Sequence, residues 1–507
     1  MIGRILIPVI VLTLLPYWWI DKRYLRSRAW RFHLLRLLNS PMVKRWPLLL
    51  LWPLLLRWRR YFWWIQAAIV IGYSGFLASE RNFLPDNPML VDIWFWIMAL
   101  FTVPQFVFTF CSFAGWCCMR GSRFVKNKLL PRKIGLSDGV KAETSNETKA
   151  KATDEPRVNA TEEAKANAIP ETRGISGSSH EPRNWGKLVG MVMGIVAFFC
   201  FIYGFAFGFG KMQVKRLTLY VPDLPAAFEG YRIVQFSDIH LGSYYGWRGN
   251  LPQRDIDSIN AQHADLICFT GDLQNVQPEE IEPYIPLMRT LRAKDGVLSV
   301  LGNHDYTWYL GIDDDDVAEK TRIEAKVRDI EKQMGWRLLN NEHVVLHRGT
   351  DSIYVAGTEN YDKPKRTCVS KALYGIKPGQ FVLMLQHIPK QWRETWPSTI
   401  NDREAREKLS RGWFSFGKKS SDTSSEKPSE KPTKDTVLVS PQLTLSGHTH
   451  GGQISFLGLR PSMFTPYDYG LYEHEGRQLY TTSGLGGTIP IRLGATAEIV
   501  VITLKRK

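Results

Sequence analysis

Long apolar runs in the first part of the chain give way to short, alternating ones in the second. A bilayer-spanning helix needs about 20 mostly apolar residues. Four runs approach that length: Ile5 to Ile20, Tyr61 to Ala78, Ile93 to Cys118 and Leu188 to Gly210. The run Trp46 to Leu56 is shorter, carries Pro47 and Pro53, and reads as an interfacial segment. Trp and Tyr residues near these ends fit an aromatic belt. From about Met212 the apolar runs become short and β-branched. Strands are expected over 213–221, 232–237, 266–270, 297–301, 352–356, 381–386, 443–446, 479–482 and 498–504. A helical pattern runs from Val317 to Met334. Strand alternating with helix argues for an α/β domain. Residues 134–186 are rich in Ala, Thr, Glu, Lys and Asn and read as a disordered linker, and Lys418 to Asp435 reads as a solvated insertion. The expected map is therefore a transmembrane region over 1–120, a charged linker over 121–186, a last membrane helix over 187–210, and a globular domain over 211–507 interrupted at 418–435.

Charge refines this map. The net charge is +16. Much of the excess lies between Lys22 and Arg60, beside the apolar runs, where juxtamembrane basic residues account for it. Nucleic acid is not expected as a partner; a lipid bilayer is. Only Arg4 precedes the first run, and Tyr17, Trp18 and Trp19 stand where a small-residue cleavage site would be, so an uncleaved span is expected. The basic loop from Asp21 to Arg60 should be cytoplasmic, as should the stretch holding Arg120, Arg123, Lys126, Lys128, Arg132 and Lys133. The loop from Ser79 to Asp92 has only Arg81 and should face outward. This order makes a multi-pass membrane protein whose C-terminal domain is extracytoplasmic, although Lys211, Lys215 and Arg216 after the fourth span oppose that orientation. The six cysteines show no disulfide or zinc spacing and read as buried small hydrophobes. Four acids, Asp313 to Asp316, read as a solvated helix start.

The chemistry lies where strands should end. The runs preceding Asp238-Ile239-His240, Gly271-Asp272, Gly302-Asn303-His304-Asp305, His387 and Gly447-His448-Thr449-His450 are all apolar. Five strands thus deliver a metal-capable group at their C-terminal ends, the edge where open α/β sheets bind ligands. Residues two apart on an extended strand share a face. Asp238 and His240 can therefore meet one ion if the chain stays extended, and His448 and His450 can both point inward. Carboxylate, amide and imidazole together suit Mn, Fe or Zn, and a carboxylate such as Asp272 could bridge two ions. Asp-x-His alone is a weak signal, and a lone histidine such as His387 is more often a satisfied core residue. Five of the eleven histidines fall in these motifs, and the other six lack such settings.

In this order, the motifs resemble the calcineurin-like metallophosphoesterases across about residues 212 to 507. Gly451-Gly452-Gln453 and Ser483-Gly484-Leu485-Gly486 are similar to the membrane-attached bacterial branch, some of whose members hydrolyse UDP-2,3-diacylglucosamine. The resemblance implies a four-layer αββα sandwich and two divalent metal ions. One ion would be held by Asp238, His240, Asp272 and His450, the other by Asp272, Asn303, His387 and His448. It also implies that His304 acts at the leaving group as general acid or transition-state stabiliser, and that Asp305 orients His304. Where relatives often carry Asp three residues after the bridging carboxylate, this chain has Asn275. The implied reaction is phosphoester hydrolysis in which water activated by two metals attacks phosphorus in line. The substrate would be a membrane-associated phosphodiester or pyrophosphate, such as a phospholipid or a nucleotide-linked lipid, and the setting a bacterial inner membrane. A membrane anchor could equally retain an enzyme with a soluble substrate. The alternative of another class is a catalytically silent, membrane-anchored sensor or interaction module. Oligomeric state is not legible.

Overall fold

A computed structural model describes residues 2–25, 51–79, 88–128, 184–313, 315–396, 439–455 and 459–507. The insertion at 418–435 and most of the expected linker lie outside them. The chain divides into two compact units, one of Met1–Phe106 with Gly194–Lys507, the other of Val107–Met193.

Among the described residues, those from Met212 onward supply twelve strands in two six-stranded sheets. The strands are β1 (Met212–Val221), β2 (Arg232–Phe236), β3 (Leu266–Phe269), β4 (Val297–Ser299), β5 (Arg337–Leu338), β6 (Glu342–Arg348), β7 (Asp351–Gly357), β8 (Val382–Leu385), β9 (Leu443–Ser446), β10 (Gly470–His474), β11 (Arg477–Thr481) and β12 (Ala497–Arg506). The first sheet has the order β1-β12-β2-β3-β4-β5, and the second β10-β11-β9-β8-β7-β6. In the first, β2 to β5 run parallel, β12 runs antiparallel to β2, and β1 runs parallel to β12. In the second, β11, β9, β8 and β7 run parallel, with β10 and β6 antiparallel at the edges.

Period-two alternation explains how both faces of the first sheet are covered. Ile233, Cys268, Val500 and Ile502 point to the core between the sheets, where Ile353, Leu383 and Leu443 meet them. Their neighbours Val234, Phe236, Ile267, Phe269, Ile499 and Val501 point outward, to a second core shared with Ile256, Met288, Ile330 and Met334 from the covering helices. Ala372, Leu373 and Ile376 cover the outer face of the second sheet over Ala356, Val382 and Met384. The helix Val317–Met334 matches its expected span, and Asp316 caps it by accepting from the Glu319 N–H. That bears out the reading of the acidic run as a helix start.

One buried group on this helix has a consequence for stability. Glu331 is fully buried and accepts from Ser299 Oγ at 2.5 Å. Burial pushes its carboxyl up to about 8 from an ordinary 4.5. The folded state then holds a proton that the unfolded chain releases, so stability should fall as pH rises from about 4.5 to about 8. The slope would be up to about 1.4 kcal/mol per pH unit. Glu331→Gln is expected to flatten that slope and to raise the melting temperature above pH 8. Melting curves across pH that coincide for variant and parent would refute this.

N-terminal to the sheets, Ile2–Ile20 and Leu51–Ser79 are helical and pack together, with Tyr17 on Trp63 (4.7 Å) and Arg60 Nε on Asp21 (2.8 Å). The expected interfacial segment Trp46 to Leu56 falls among the described residues only from Leu51, where it is helical and runs into the second helix. Pro53 is tolerated there because it falls near a helix start. Four membrane spans were expected. Among the described residues, two helices, Ile93–Val125 and Trp185–Gly208, are long and apolar enough to cross a membrane. Helix continues to Lys128, into the stretch assigned to the linker. Cys268 is buried as expected, but Cys117, Cys118 and Cys368 are exposed.

Candidate active site

All seven expected metal ligands come together at one edge of the sandwich. Asp238, His240, Asp272 and His450 form one cluster of ligand atoms, and Asp272, His387 and His448 a second, each within 4.8 Å. Asn303 joins the second, its Oδ1 lying 3.0 Å from His387 Nε2 and 2.7 Å from His448 Nδ1. Asp272 Oδ2 stands between the clusters, 3.5 Å from His240 Nε2 and 3.1 Å from His387 Nε2. Its other oxygen accepts from the His304 N–H at 2.9 Å.

The chain does not stay extended through these motifs. Asp238, His240, Asp272, His448 and His450 all have positive φ, between 47° and 73°. Non-glycine residues adopt this left-handed region uncommonly, Asp and His more readily than most, and it persists where surrounding contacts hold it. Here the holding contacts are visible. Asp238 N–H donates to Gly271 O (2.8 Å), His240 N–H to Asp272 O (3.2 Å), and Gly486 N–H to Asp238 O (2.9 Å). The Asp238 carboxylate in turn accepts from the His448 N–H at 2.9 Å. Ligands two apart thus meet through a tight turn rather than through strand periodicity.

Hydrogen bonds to the outer ring nitrogens aim the imidazoles. His240 Nδ1 lies 3.1 Å from Gln274 O, and His387 Nδ1 lies 2.8 Å from Thr270 O. Each carbonyl can only accept, so Nδ1 carries a proton and Nε2 is the nitrogen turned inward, able to offer a lone pair whenever the ring is neutral. Asn303 is oriented in the same way. Its amide nitrogen donates to Tyr309 Oη at 2.9 Å, which turns Oδ1 to the site.

Electrostatics agree with a cation-binding role. Burial pushes His240 and His448 down to about 3, keeping both rings neutral, as ligation requires. Burial raises Asp238 to about 7, and the nearby Asp272 charge adds to that. His387 goes the other way. Its burial opposes charge, but the Asp272 carboxylate retains a proton on it and lifts it to about 9. A divalent cation between these two groups would displace that proton. The donor set of carboxylate, amide and imidazole therefore fits a hard or borderline divalent metal.

The structure corrects one expected contact. Asp305 does not touch the His304 ring. Its carboxylate accepts from the N–H groups of Asp272 (2.9 Å), Leu273 (2.8 Å), Gln274 (3.2 Å) and Gly302 (2.8 Å). Being one residue along a 3-10 turn, Asp305 faces back to the chain while His304 faces the site. Asn275 O holds the His304 ring instead, 2.6 Å from Nδ1. That leaves Nε2 as the ring nitrogen available to a substrate. Tyr309 stacks on the same ring, with centroids 4.1 Å apart and planes 10° apart.

Sequence reasoning missed Tyr309 and Arg492, and it missed the role of Asn275 as the carbonyl that holds His304. A backbone carbonyl leaves no side-chain signal, whereas the aromatic group directly after Gly-Asn-His-Asp was a usable one. Arg492 is fully buried and donates to the carbonyls of Ser483, Gly486 and Ala495, fixing the loop whose N–H groups hold Ser237 and Asp238.

Gly447 shows how closely the backbone packs here. A Cβ at this position would lie 2.1 Å from Ser237 Oγ and 2.2 Å from Asp238 Oδ2. Gly447→Ala should therefore displace the Asp238 carboxylate. The expected result is reduced metal content and about a 100-fold loss of metal-dependent turnover. Metal analysis of the purified variant beside its rate checks this, and parental values for both would refute it.

Residues 231–452 match the calcineurin-like phosphoesterase family. An uncharacterised metallophosphoesterase of Bacillus subtilis, YkuE, is 28% identical over 298 residues, covering 56% of this chain and 82% of that protein. An uncharacterised metallophosphoesterase of Helicobacter pylori is 26% identical over 330 residues, covering 63% and 70%. A transmembrane protein with metallophosphoesterase domain from Danio rerio is 26% identical over 316 residues, covering 60% of each. The matched segment contains every ligand loop described above, from Asp238 to His450, and the chain therefore carries a calcineurin-like metallophosphoesterase domain.

Proposed function

We propose that the chain hydrolyses phosphoesters with two divalent metals, taken from Mn, Fe or Zn, and that it works at a membrane on a phosphodiester or pyrophosphate borne by a lipid. The observation carrying the two-metal reading is the position of Asp272 Oδ2 between the two ligand clusters, within 3.5 Å of both His240 and His387. Metals bound there would supply Lewis acidity at the phosphoryl oxygens and acidify a water. The protein's own groups do the rest. Asp238, His240 and His450 hold one side of the phosphoryl-binding edge, and Asn303, His387 and His448 the other. His304, fixed by Asn275 O and Tyr309, presents Nε2 to the leaving-group oxygen and can hand it a proton. Asp305 keeps the Asp272 turn in place through its four backbone hydrogen bonds. The lipid part of the proposal rests on the two apolar helices and on the transmembrane relative.

Full-length protein in detergent, assayed with Mn²⁺ against bis-p-nitrophenyl phosphate and p-nitrophenyl phosphate, tests the reaction. Hydrolysis that requires metal and stops with EDTA is expected. A folded, metal-loaded protein inert toward both esters would replace this reading with the silent binding module. We further propose a four-span topology with the catalytic domain outside the cytoplasm, in a bacterial cell across the inner membrane. The basic loops described above support it. Activity of a C-terminal alkaline phosphatase fusion is expected, and a fusion active only as a cytoplasmic reporter would invert the orientation.

A further inference from the structure

We infer that the metal-bearing edge of the sandwich faces the bilayer, and that an apolar rim of Trp247, Trp308, Met463 and Phe464 enters the interfacial layer of the membrane. The inference rests on the membrane reading of the helix Trp185–Gly208 and deepens the proposed function by setting the site at headgroup depth.

Strand polarity carries the first part. The helix ending at Gly208 leads directly into β1 at Met212. Met212 pairs with Ala497, the first residue of β12. Because β12 runs antiparallel to β2, with Val500 opposite Gln235 and Thr503 opposite Arg232, its start lies beside the end of β2, which delivers Asp238. The chain therefore passes from the apolar helix into the sheet at the metal edge. The other end of β1, at Val221, lies at the opposite edge, roughly 30 Å away at about 3.3 Å per residue.

Side-chain contacts at the helix end agree. Phe209 is buried against Tyr244, with ring centroids 5.6 Å apart. The Arg248 guanidinium lies 4.6 Å from the Phe205 ring, and Trp247 packs 6.3 Å from the same ring. Arg492 N–H donates to Gly204 O at 3.1 Å, and Arg254 Nη1 to Gly210 O at 2.5 Å. Residues 241–248 follow His240 directly, so the helix end packs on the loop next to a metal ligand.

The rim completes the argument. Trp247 is 56% exposed, Trp308 44%, Met463 45% and Phe464 84%. They stand on the loops after β2, β4 and β9, the same loops that carry His240, Asn303 and His450. Trp308 neighbours Tyr309, which stacks on His304, and the turn Pro461–Phe464 packs on His450–Gly452. Large apolar side chains concentrated around one mouth mark an interaction surface. Trp at such a position favours the membrane–water interface. Continuity with an apolar helix end identifies the partner as the bilayer rather than a second protein.

The test uses the full chain in nanodiscs of phosphatidylcholine and phosphatidylglycerol. An environment-sensitive fluorescent amino acid replaces Phe464 or Trp247, and Tyr220, exposed at the far end of β1, serves as reference. Lipid-borne nitroxide should quench the two rim positions several-fold more than position 220, and aqueous iodide should do the reverse. Equal iodide quenching at all three positions, in protein that stays with the nanodisc, overturns the inference. A chain that leaves the nanodisc overturns the membrane reading and this inference with it. No turnover is measured, so a failed phosphoesterase reading would show separately, as no metal-dependent hydrolysis of bis-p-nitrophenyl phosphate.

Discussion

Asp272→Ala is expected to remove metal-dependent hydrolysis of bis-p-nitrophenyl phosphate, with a loss on the order of 10³-fold or more. The size of the effect follows from how many contacts end on one carboxylate. Oδ2 faces His240 and His387 at once, and Oδ1 accepts from the His304 N–H. The carboxyl is held well below its usual range. Burial opposes that, but the charges of His387 and His304 around it win. Removing it takes from His387 its main counter-charge, leaving only Asp238 nearby, and neither ligand cluster retains its shared oxygen. Metal content should therefore fall along with rate. Parental turnover by a folded Asp272→Ala protein would sink the site assignment. Asp272→Asn separates charge from shape: it should preserve the fold, bind metal weakly, and recover little rate.

His304→Ala should behave differently. None of the metal clusters includes His304, so metal content should stay near the parental value. The rate should drop by about 10²–10⁴-fold, the usual contribution of a positioned acid or base. The ring is fully placed before substrate arrives, by Asn275 O on Nδ1 and by Tyr309 on its face. The loss should thus fall on kcat rather than on KM. It should also shrink for an ester with a good leaving group, because p-nitrophenolate needs less protonation than an alkoxide. Loss of metal from His304→Ala would mean that its role has been misread.

The ligands were legible because rare polar residues follow apolar runs at five places, and burial of those runs brings their ends to one edge. The conformation between ligands was not. Period-two reasoning assumes extended backbone, and Asp238, His240, His448 and His450 are left-handed, held by hydrogen bonds from distant loops. The partner of His304 was illegible for a related reason: a carboxylate next to a histidine in sequence suggests a pair, but a 3-10 turn sends the two in different directions. Three of the four edge strands also escaped notice, β1 being the exception. β6 and β10 are half exposed, so their apolar signal is weak, and β5 has only two residues. The helix Leu251–Asn260 was overlooked because it is short and carries only two buried isoleucines. The central strands, buried on both faces, were found almost to the residue.

The boundary between helix and enzyme was drawn at Lys211, where hydropathy changes. Packing draws it elsewhere. Phe209 shares the core with Phe236 and Tyr244, and Gly204 O receives the backbone N–H of Arg492, the residue that ties down the Asp238 loop. Cutting the chain at Met212 would open a cavity of one phenylalanine side chain and cost about 3–5 kcal/mol. It would also expose a loop that the metal site depends on. A soluble fragment that keeps activity should therefore begin before Gly204 and carry a stub of its own anchor. A recombination that grafts this sheet onto a foreign helix would have to supply a Phe and a backbone carbonyl at matching positions.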